Sequence, residues 1–502
     1  MMARLATARA LVPLRHPRFR LLVAGQLTSN VGDACYAVAL PWYVLAVHGG
    51  VVLLSLVLAA YGIPRTALLL VGGFASDRWR PWTVMMVTDG ARAMAGAGLA
   101  VAAGLGPARA AVLIPIAAVL GAGEGLFIPA SFAIVPELLP GADLQAGNAL
   151  SSGGTQLATL LGPAVGGALV GLAGPELAFW VDAASFAVSA VTLAGIRAAG
   201  RASSATAQVD GDPAAGGVVA AGAVSTEAPA LMHEPGAGRA GVTEPDLALA
   251  TAAPPRLTVR GMMRTERILQ VAVVVVVAAN LGSGGVGEVA LPALAHGPLA
   301  AGAAGYGALI AAFGGGALLG TLAAGQARQP RRPFVAGSIA FLAEAAFIAV
   351  VPLAGSTILT AAALVAFGAL NGFGNMVTIT AFQRWAPPGM LGRLSGVLAL
   401  ASVGVFPLSV LLAGLIVRAG GPDPFFWFAA ATLAAAILGA LTQRSWRDFG
   451  TAGPAATEVQ LPAAAAPGQA AAVPVATANA DSQLSTDSAS SRSADSHSRP
   501  AT

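Results

Sequence analysis

The chain has 502 residues, of which 56% are hydrophobic and only 10% charged, with a mean hydropathy of +0.74. An ordinary soluble domain carries about 25% charged residues to cover its surface, so a chain this long and this poor in charge reads as a polytopic membrane protein. The formal net charge is +4, but the basic residues, all Arg and none Lys, lie between apolar runs rather than along one amphipathic face. That is membrane topology and excludes a nucleic-acid partner.

The opening MMARLATARALVPLRHPRFR is basic and leads directly into a full-length apolar run, so no cleavable signal is expected. A helix needs roughly 20 apolar residues to cross the hydrocarbon. On that ruler the first set of spans is 19–46, 51–75, 82–104, 110–136, 145–172 and 177–196. The second set is 267–293, 302–325, 333–354, 357–382, 391–417 and 424–443. Residues 1–18 form a terminal segment ahead of a first bundle at 19–198, and a second bundle occupies 267–447. Between the bundles, 199–266 is rich in Ala, Gly, Pro, Ser and Thr, as in VDGDPAAGG, and reads as a flexible linker; the tail 448–502 reads as disordered for the same reason. Cys35 is the single cysteine, so no intramolecular disulfide framework is available.

Arginine placement predicts orientation. Arg4, Arg9, Arg15, Arg18 and Arg20 precede the first span, Arg78 and Arg80 follow the second, and seven lie from Arg197 to Arg267. Arg328, Arg331, Arg332, Arg384, Arg393, Arg444 and Arg447 fall on the same side, while the opposite loops carry Arg109 and Arg418. By the positive-inside rule both termini and the linker are cytoplasmic, in the inner cell membrane.

The two sets are copies. VALP stands at 38–41 and again at 289–292, with Asn30 eight residues before the first and Asn280 nine before the second. RPW at 80–82 answers RPF at 332–334 through Arg80 and Arg332, and GPELAFWVDAASFA (174–187) answers GPDPFFWFAAATLA (421–434). Register holds throughout at offsets of roughly 247 to 252, so the chain is a duplicated six-span unit in parallel orientation, one plan for secondary transporters.

Several stretches resemble the major facilitator superfamily, and within it the secretion-type exporters that include enterobactin and macrolide efflux proteins. They are FRLLVAGQLTSNVGDACYAVALPWYVL, AAYGIPR with GGFASDRW, VTDGARA, PASFAIVPELLPGADLQAGNALSS with LLGPAVGGAL, and AFWVDAASFAVSAV. The resemblance covers about 19–198 and 267–443. It implies an all-α membrane protein with twelve transmembrane helices in two pseudo-symmetric six-helix bundles, a central cavity and alternating access. In GFASDRWRP, Gly73 would permit close helix approach, while Asp77 and Arg78 would latch the outward-facing state; Pro81 and Trp82 replace two usual basic residues, and Gln329 stands opposite Asp77 in the second copy. GPAVGG resembles the antiporter-associated motif; its Gly162, Pro163, Gly166 and Gly167 equally permit close packing and a bend.

The resemblance also implies that spans one, four, seven and ten line the cavity. Charge in hydrocarbon is costly and usually faces a cavity or a partner. Gln26, Asn30 and Asp33 lie at i, i+4 and i+7 on span one, hence on one face. Glu124 sits mid-span in four, Asn280 and Glu288 lie two turns apart on seven, and Asn371 and Asn375 one turn apart on ten. A desolvated carboxyl can take up and release a proton near neutral pH, so coupling is expected on Asp33 or Glu124. Span four lacks the intramembrane Arg of many proton-coupled drug exporters. Arg65, Asp89 and Arg92 read as a buried ion cluster joining spans two and three, while Asp182 and Glu288 can simply be solvated near the outer face; Glu344 is a further intramembrane charge.

The expected function is export of a small amphipathic drug- or siderophore-like compound against proton entry by a monomer, with no enzyme activity, metal or cofactor. Uptake by symport, or a sensor or scaffold without transport, remain alternatives. Gly282, Gly284 and Gly287 have the spacing of a dinucleotide fingerprint, but no Asp or Glu occurs between Glu288 and Glu344 to hold a ribose.

Overall fold

The computed structural model describes residues 12–47, 49–209, 259–387 and 390–450. Most of the expected linker and nearly all of the expected tail lie outside the described residues. Those described belong to one compact unit, Met1–Thr457. Within it the apolar runs form long helices, and no strand occurs among the described residues.

The first bundle consists of α1 (Pro17–Ala46), α2 (Gly50–Arg78), α3 (Pro81–Gly104), α4 (Ala110–Leu138), α5 (Leu144–Ala173) and α6 (Pro175–Val209). The second consists of α7 (Arg267–His296), α8 (Gly302–Gln326), α9 (Pro333–Val350), α10 (Thr357–Trp385), α11 (Leu391–Gly420) and α12 (Asp423–Thr442). The helix α6 runs past its expected end into the segment read as linker, where a short helix, Val259–Thr265, also forms. Among the described residues nine helices are long and apolar enough to cross a membrane; α1, α3 and α5 fall short. Of these, α1 and α3 carry Asp33, Asp89 and Arg92, and α5 carries Thr155.

Sequence explains the boundaries. Proline stands in the first turn of α1, α3, α6 and α9, where its missing N–H costs nothing. Gly174 and Gly421 end α5 and α11 with φ of 85° and 81°, a conformation other residues rarely adopt. They are the glycines of the repeated Gly-Pro, so the duplication copied a turn.

The repeat is visible in packing. Asn30 on α1 donates from Nδ2 to Thr155 Oγ1 on α5 at 3.1 Å, and Asn280 on α7 accepts from Ser402 Oγ on α11 at 2.8 Å. Gly121 and Gly125 on α4 lie against the carbonyls of Tyr61 and Arg65 on α2; Gly368 and Gly372 on α10 lie against those of Phe313 and Ala317 on α8. Small residues let these backbones touch. One difference breaks the copy. Pro41 sits inside an unbroken α1, whereas Val286–Ala290 of α7 form a π turn just before Pro292. Neither proline ends its helix.

Contacts between bundles start at the side away from the described termini. There the Trp42 and His296 rings meet at 5.0 Å, and Gly167 on α5 faces Gly307 on α8. Ser55 meets Gly414 and Phe406 meets Gly62, and the series reaches Thr66, whose hydroxyl donates to the Val403 carbonyl at 3.2 Å. Further toward the terminal side Leu70, Val71 and Phe74 of α2 are exposed.

Candidate functional site

Asp33, Arg65, Arg92 and Glu124 each lie near the middle of their helices, at one depth. Arg92 Nη2 meets Asp33 Oδ1 at 2.6 Å, and Arg65 Nη2 meets Glu124 Oε1 at 3.0 Å. The expected self-contained cluster of Arg65, Asp89 and Arg92 is therefore not what forms. Helix neighbourhood decides this: α3 and α1 both pack on α6, and α2 packs on α4, so each guanidinium reaches a carboxylate on another helix. Asp89 is fully buried, and neither of its carboxyl oxygens has a hydrogen-bond partner.

The two pairs are built differently. The Arg92 side chain is 4% exposed, its guanidinium stacked 3.9 Å from the Phe186 centroid, while Asp33 is 40% exposed. A fixed, desolvated cation thus holds a carboxylate that remains accessible. Glu124 also accepts from the Tyr61 hydroxyl, and Arg65 lies 5.8 Å over the Tyr61 ring. So α4, which lacks an arginine of its own, borrows one from α2.

Asp182 and Glu288 stand elsewhere than expected. Asp182 is 1% exposed and its Oδ1 has no hydrogen-bond partner, so it is not solvated at an outer face. Glu288, inside the π turn, is half-buried, and α2, the helix that bears Arg65, packs on that turn from the other bundle. Of the five carboxyls Asp33, Asp89, Glu124, Asp182 and Glu288, only Asp33 and Glu124 are paired with a guanidinium.

Of the polar stripes, Asn30 and Asn280 face neighbours in their own bundles, and Gln26 is half-buried on the face of Asn30 and Asp33. Asn371 donates to Glu344 Oε1 on α9 at 3.1 Å, and Asn375 donates to Asn371 Oδ1 at 3.2 Å. The α10 stripe thus serves α9, with Asn375 exposed. Tyr61, one turn before Arg65, and Thr155 were not singled out in sequence. Asn148, Ser152 and Thr155 repeat the i, i+4, i+7 spacing of α1, which is the pattern that could have found Thr155.

The latch residues divide. A Cβ on Gly73 would meet nothing within 4 Å, whereas one on Gly72 would come 2.9 Å from the Pro129 ring, so the close approach belongs to Gly72. Arg78 is exposed, and the side chain of Asp77 lies outside the described residues. Trp82, which replaces a basic residue, carries the Arg197 guanidinium 4.6 Å from its ring centroid. In GPAVGG, Gly162 and Gly166 face Ala34 and Cys35 on α1, while Gly167 and the Pro163 carbonyl face Gly307 in the other bundle.

Residues 8–211 match the family described as transmembrane secretion effector. Over 192 residues the chain is 32% identical to the multidrug efflux pump Tap of Mycobacterium tuberculosis, covering 37% of this chain and 45% of that protein. It is 28% identical over 173 residues to the uncharacterized MFS-type transporter YfiS of Bacillus subtilis, covering 34% and 40%. The chain thus spans under half the length of the curated relatives it matches. In fold it is similar to a POT family transporter solved with a thioalcohol-conjugated peptide, at TM-score 0.60 and 14% identity over 84% of this chain and 95% of that one. A D-xylose–proton symporter gives TM-score 0.59 at 14% identity, covering 84% and 97%. By sequence over its first bundle the chain is similar to transmembrane secretion effectors and to transporters named as efflux pumps, and over most of its length it has the fold of the solved transporters.

Proposed function

We propose that the chain is a secondary active exporter that moves a small amphipathic compound out of the cell in exchange for protons. The observation that carries this is the mid-helix network of five carboxyls and two guanidiniums, in which only Asp33 and Glu124 are paired. Two carboxylates can be neutralised by Arg65 and Arg92; the rest call for protons or a cationic substrate, which are the two species an exchanger must handle in turn. Contacts that close the far side and reach only mid-helix fit a state open toward the termini. With the termini cytoplasmic in the inner membrane, that state would receive substrate from inside. The relatives named as efflux pumps fit the outward direction. In this reading the bundles are 19–198 and 267–447, joined by a cytoplasmic linker at 199–266, and the unit works as a monomer; Asp77 and Arg78 would secure the outward-facing state.

Expression of the chain in cells lacking their major efflux systems tests the reading. Accumulation of amphipathic cationic dyes should fall, and collapsing the proton gradient should restore it. Dye levels indifferent to both the chain and the gradient would contradict proton-driven export.

A further inference from the structure

The second bundle contains one residue that the first does not. From Asn30 to Val38 is eight positions, and from Asn280 to Val289 is nine. Both ends of this stretch are fixed. Upstream, the two asparagines bond to hydroxyls at equivalent positions, Asn30 donating to Thr155 and Asn280 accepting from Ser402. Downstream, Val38, Ala39 and Leu40 are buried, as are Val289, Ala290 and Leu291. The surplus must be absorbed between them, and the π turn at Val286–Ala290 is where it goes, since such a turn takes one residue more than an α turn.

The consequence falls on Glu288. On α1 the polar face runs through Gln26, Asn30, Asp33 and then Ala37, seven after Asn30. Counted the same way from Asn280 in an unbroken α-helix, that place belongs to Gly287, with Glu288 rotated about 100° away. The π turn advances Glu288 into it.

A side chain from α11 opens the ladder just upstream. Ser409, fully buried, accepts from the Gly285 N–H at 2.8 Å and donates to the Leu281 carbonyl at 2.6 Å. Those two groups are an i, i−4 pair that an uninterrupted α-helix would join directly, and a side chain inserted there is a recognised cause of local distortion. The first bundle supplies the control. At the matching contact Gly162 meets Ala34, no side chain is available to insert, and α1 stays α-helical throughout.

The geometry points to Ser409 as a positioning residue: its hydroxyl holds open one turn of α7, so that the extra residue becomes a π turn and Glu288 faces Arg65 across the bundle interface. The helix α2, which bears Arg65, packs on that turn. Arg65 already binds Glu124 through Nη2, and its buried Nε–H has no partner, leaving a donor for a second carboxylate. Arg65 thus binds one carboxylate in its own bundle and keeps a free donor on the helix that packs on the turn carrying Glu288, so that movement of the bundles would change which carboxylate it serves. Tyr36 and Tyr306 are the other titratable groups beside Glu288. This role rests on the exporter reading, whereas the positioning itself does not.

The test uses the full chain in proteoliposomes with Cys35→Ser, so that an introduced thiol is the only one. Glu288→Cys should react readily with a small charged thiol reagent. Adding Ser409→Ala, or Ser409→Gly to copy Gly162, should slow that reaction severalfold and speed the reaction of Gly287→Cys, whose position is open. Ser409→Thr, which keeps the hydroxyl, should label like the parent. Deleting Gly287 from the Ser409→Ala chain should restore labelling at 288, because without the surplus no π turn is needed. Labelling at 288 that ignores the Ser409 hydroxyl, or that the deletion fails to restore, overturns the proposal. No substrate is involved, so that failure leaves the exporter reading standing, and a failure of dye export leaves the labelling result intact.

Discussion

Arg92 and Glu344 occupy equivalent positions in the two bundles, each twelve residues after the matched Arg80 and Arg332, and they carry opposite charge. Each has found a partner its own bundle provides. Arg92 reaches a half-exposed carboxylate, Asp33, while Glu344 is closed in by the amide of Asn371. At this matched position the duplicated scaffold thus leaves the carboxylate accessible in the first bundle and encloses it in the second.

That contrast predicts unequal costs for two isosteric changes. Asp33→Asn leaves the buried Arg92 guanidinium without its counter-charge, and breaking a buried pair costs up to about 3–5 kcal/mol; the exposure of Asp33 puts the expected loss toward the lower end. Glu344→Gln keeps an acceptor for Asn371 and should cost no more than one ordinary hydrogen bond, about 1 kcal/mol. Thermal melting of the purified protein should show a clear drop for the first and little change for the second. Equal melting temperatures would mean that Arg92 does not depend on Asp33.

Helix contact at the glycines should be as symmetric as the fold. Gly121→Ala and Gly368→Ala would each drive a methyl into a facing backbone carbonyl, and overpacking of this kind costs about 1–3 kcal/mol. Gly98→Ala, where a Cβ meets nothing within 4 Å, should be neutral. The fraction of monodisperse protein after mild heating reads the difference.

Gly167 lies 2.7 Å, measured from an added Cβ, from Gly307 Cα on the other bundle. Gly167→Leu should wedge the far side apart and shift the population toward the opposite opening. With Cys35→Ser, a thiol introduced by Ala304→Cys should then react faster with an impermeant reagent added from the far side. An unchanged rate would show that this contact does not hold the far side closed.

The helices, the duplication and the mid-span carboxylates were legible because each depends on composition or spacing along one chain. Pairing was not. Arg92 stands three residues from Asp89 on one helix, and only the packing of α3 and α1 on α6 shows why it turns to Asp33. Gly73 and Gly72 differ by one step of about 100° around a helix, too fine for periodicity in an all-apolar run to resolve. Asp182 looked solvated because its position near a span end says nothing about the neighbours that bury it. The π turn lay between these cases: the eight-against-nine spacing stated the insertion, but not that Ser409 would hold it.

Gradient-driven transport in proteoliposomes tests the central claim most directly. With an imposed pH gradient and an amphipathic cationic dye, the native chain should move dye against protons, and the gradient should dissipate faster when dye is present. Asp33→Asn combined with Glu124→Gln should abolish both while the protein remains folded and monodisperse. Dye-dependent proton movement that persists undiminished in that double variant would contradict the account.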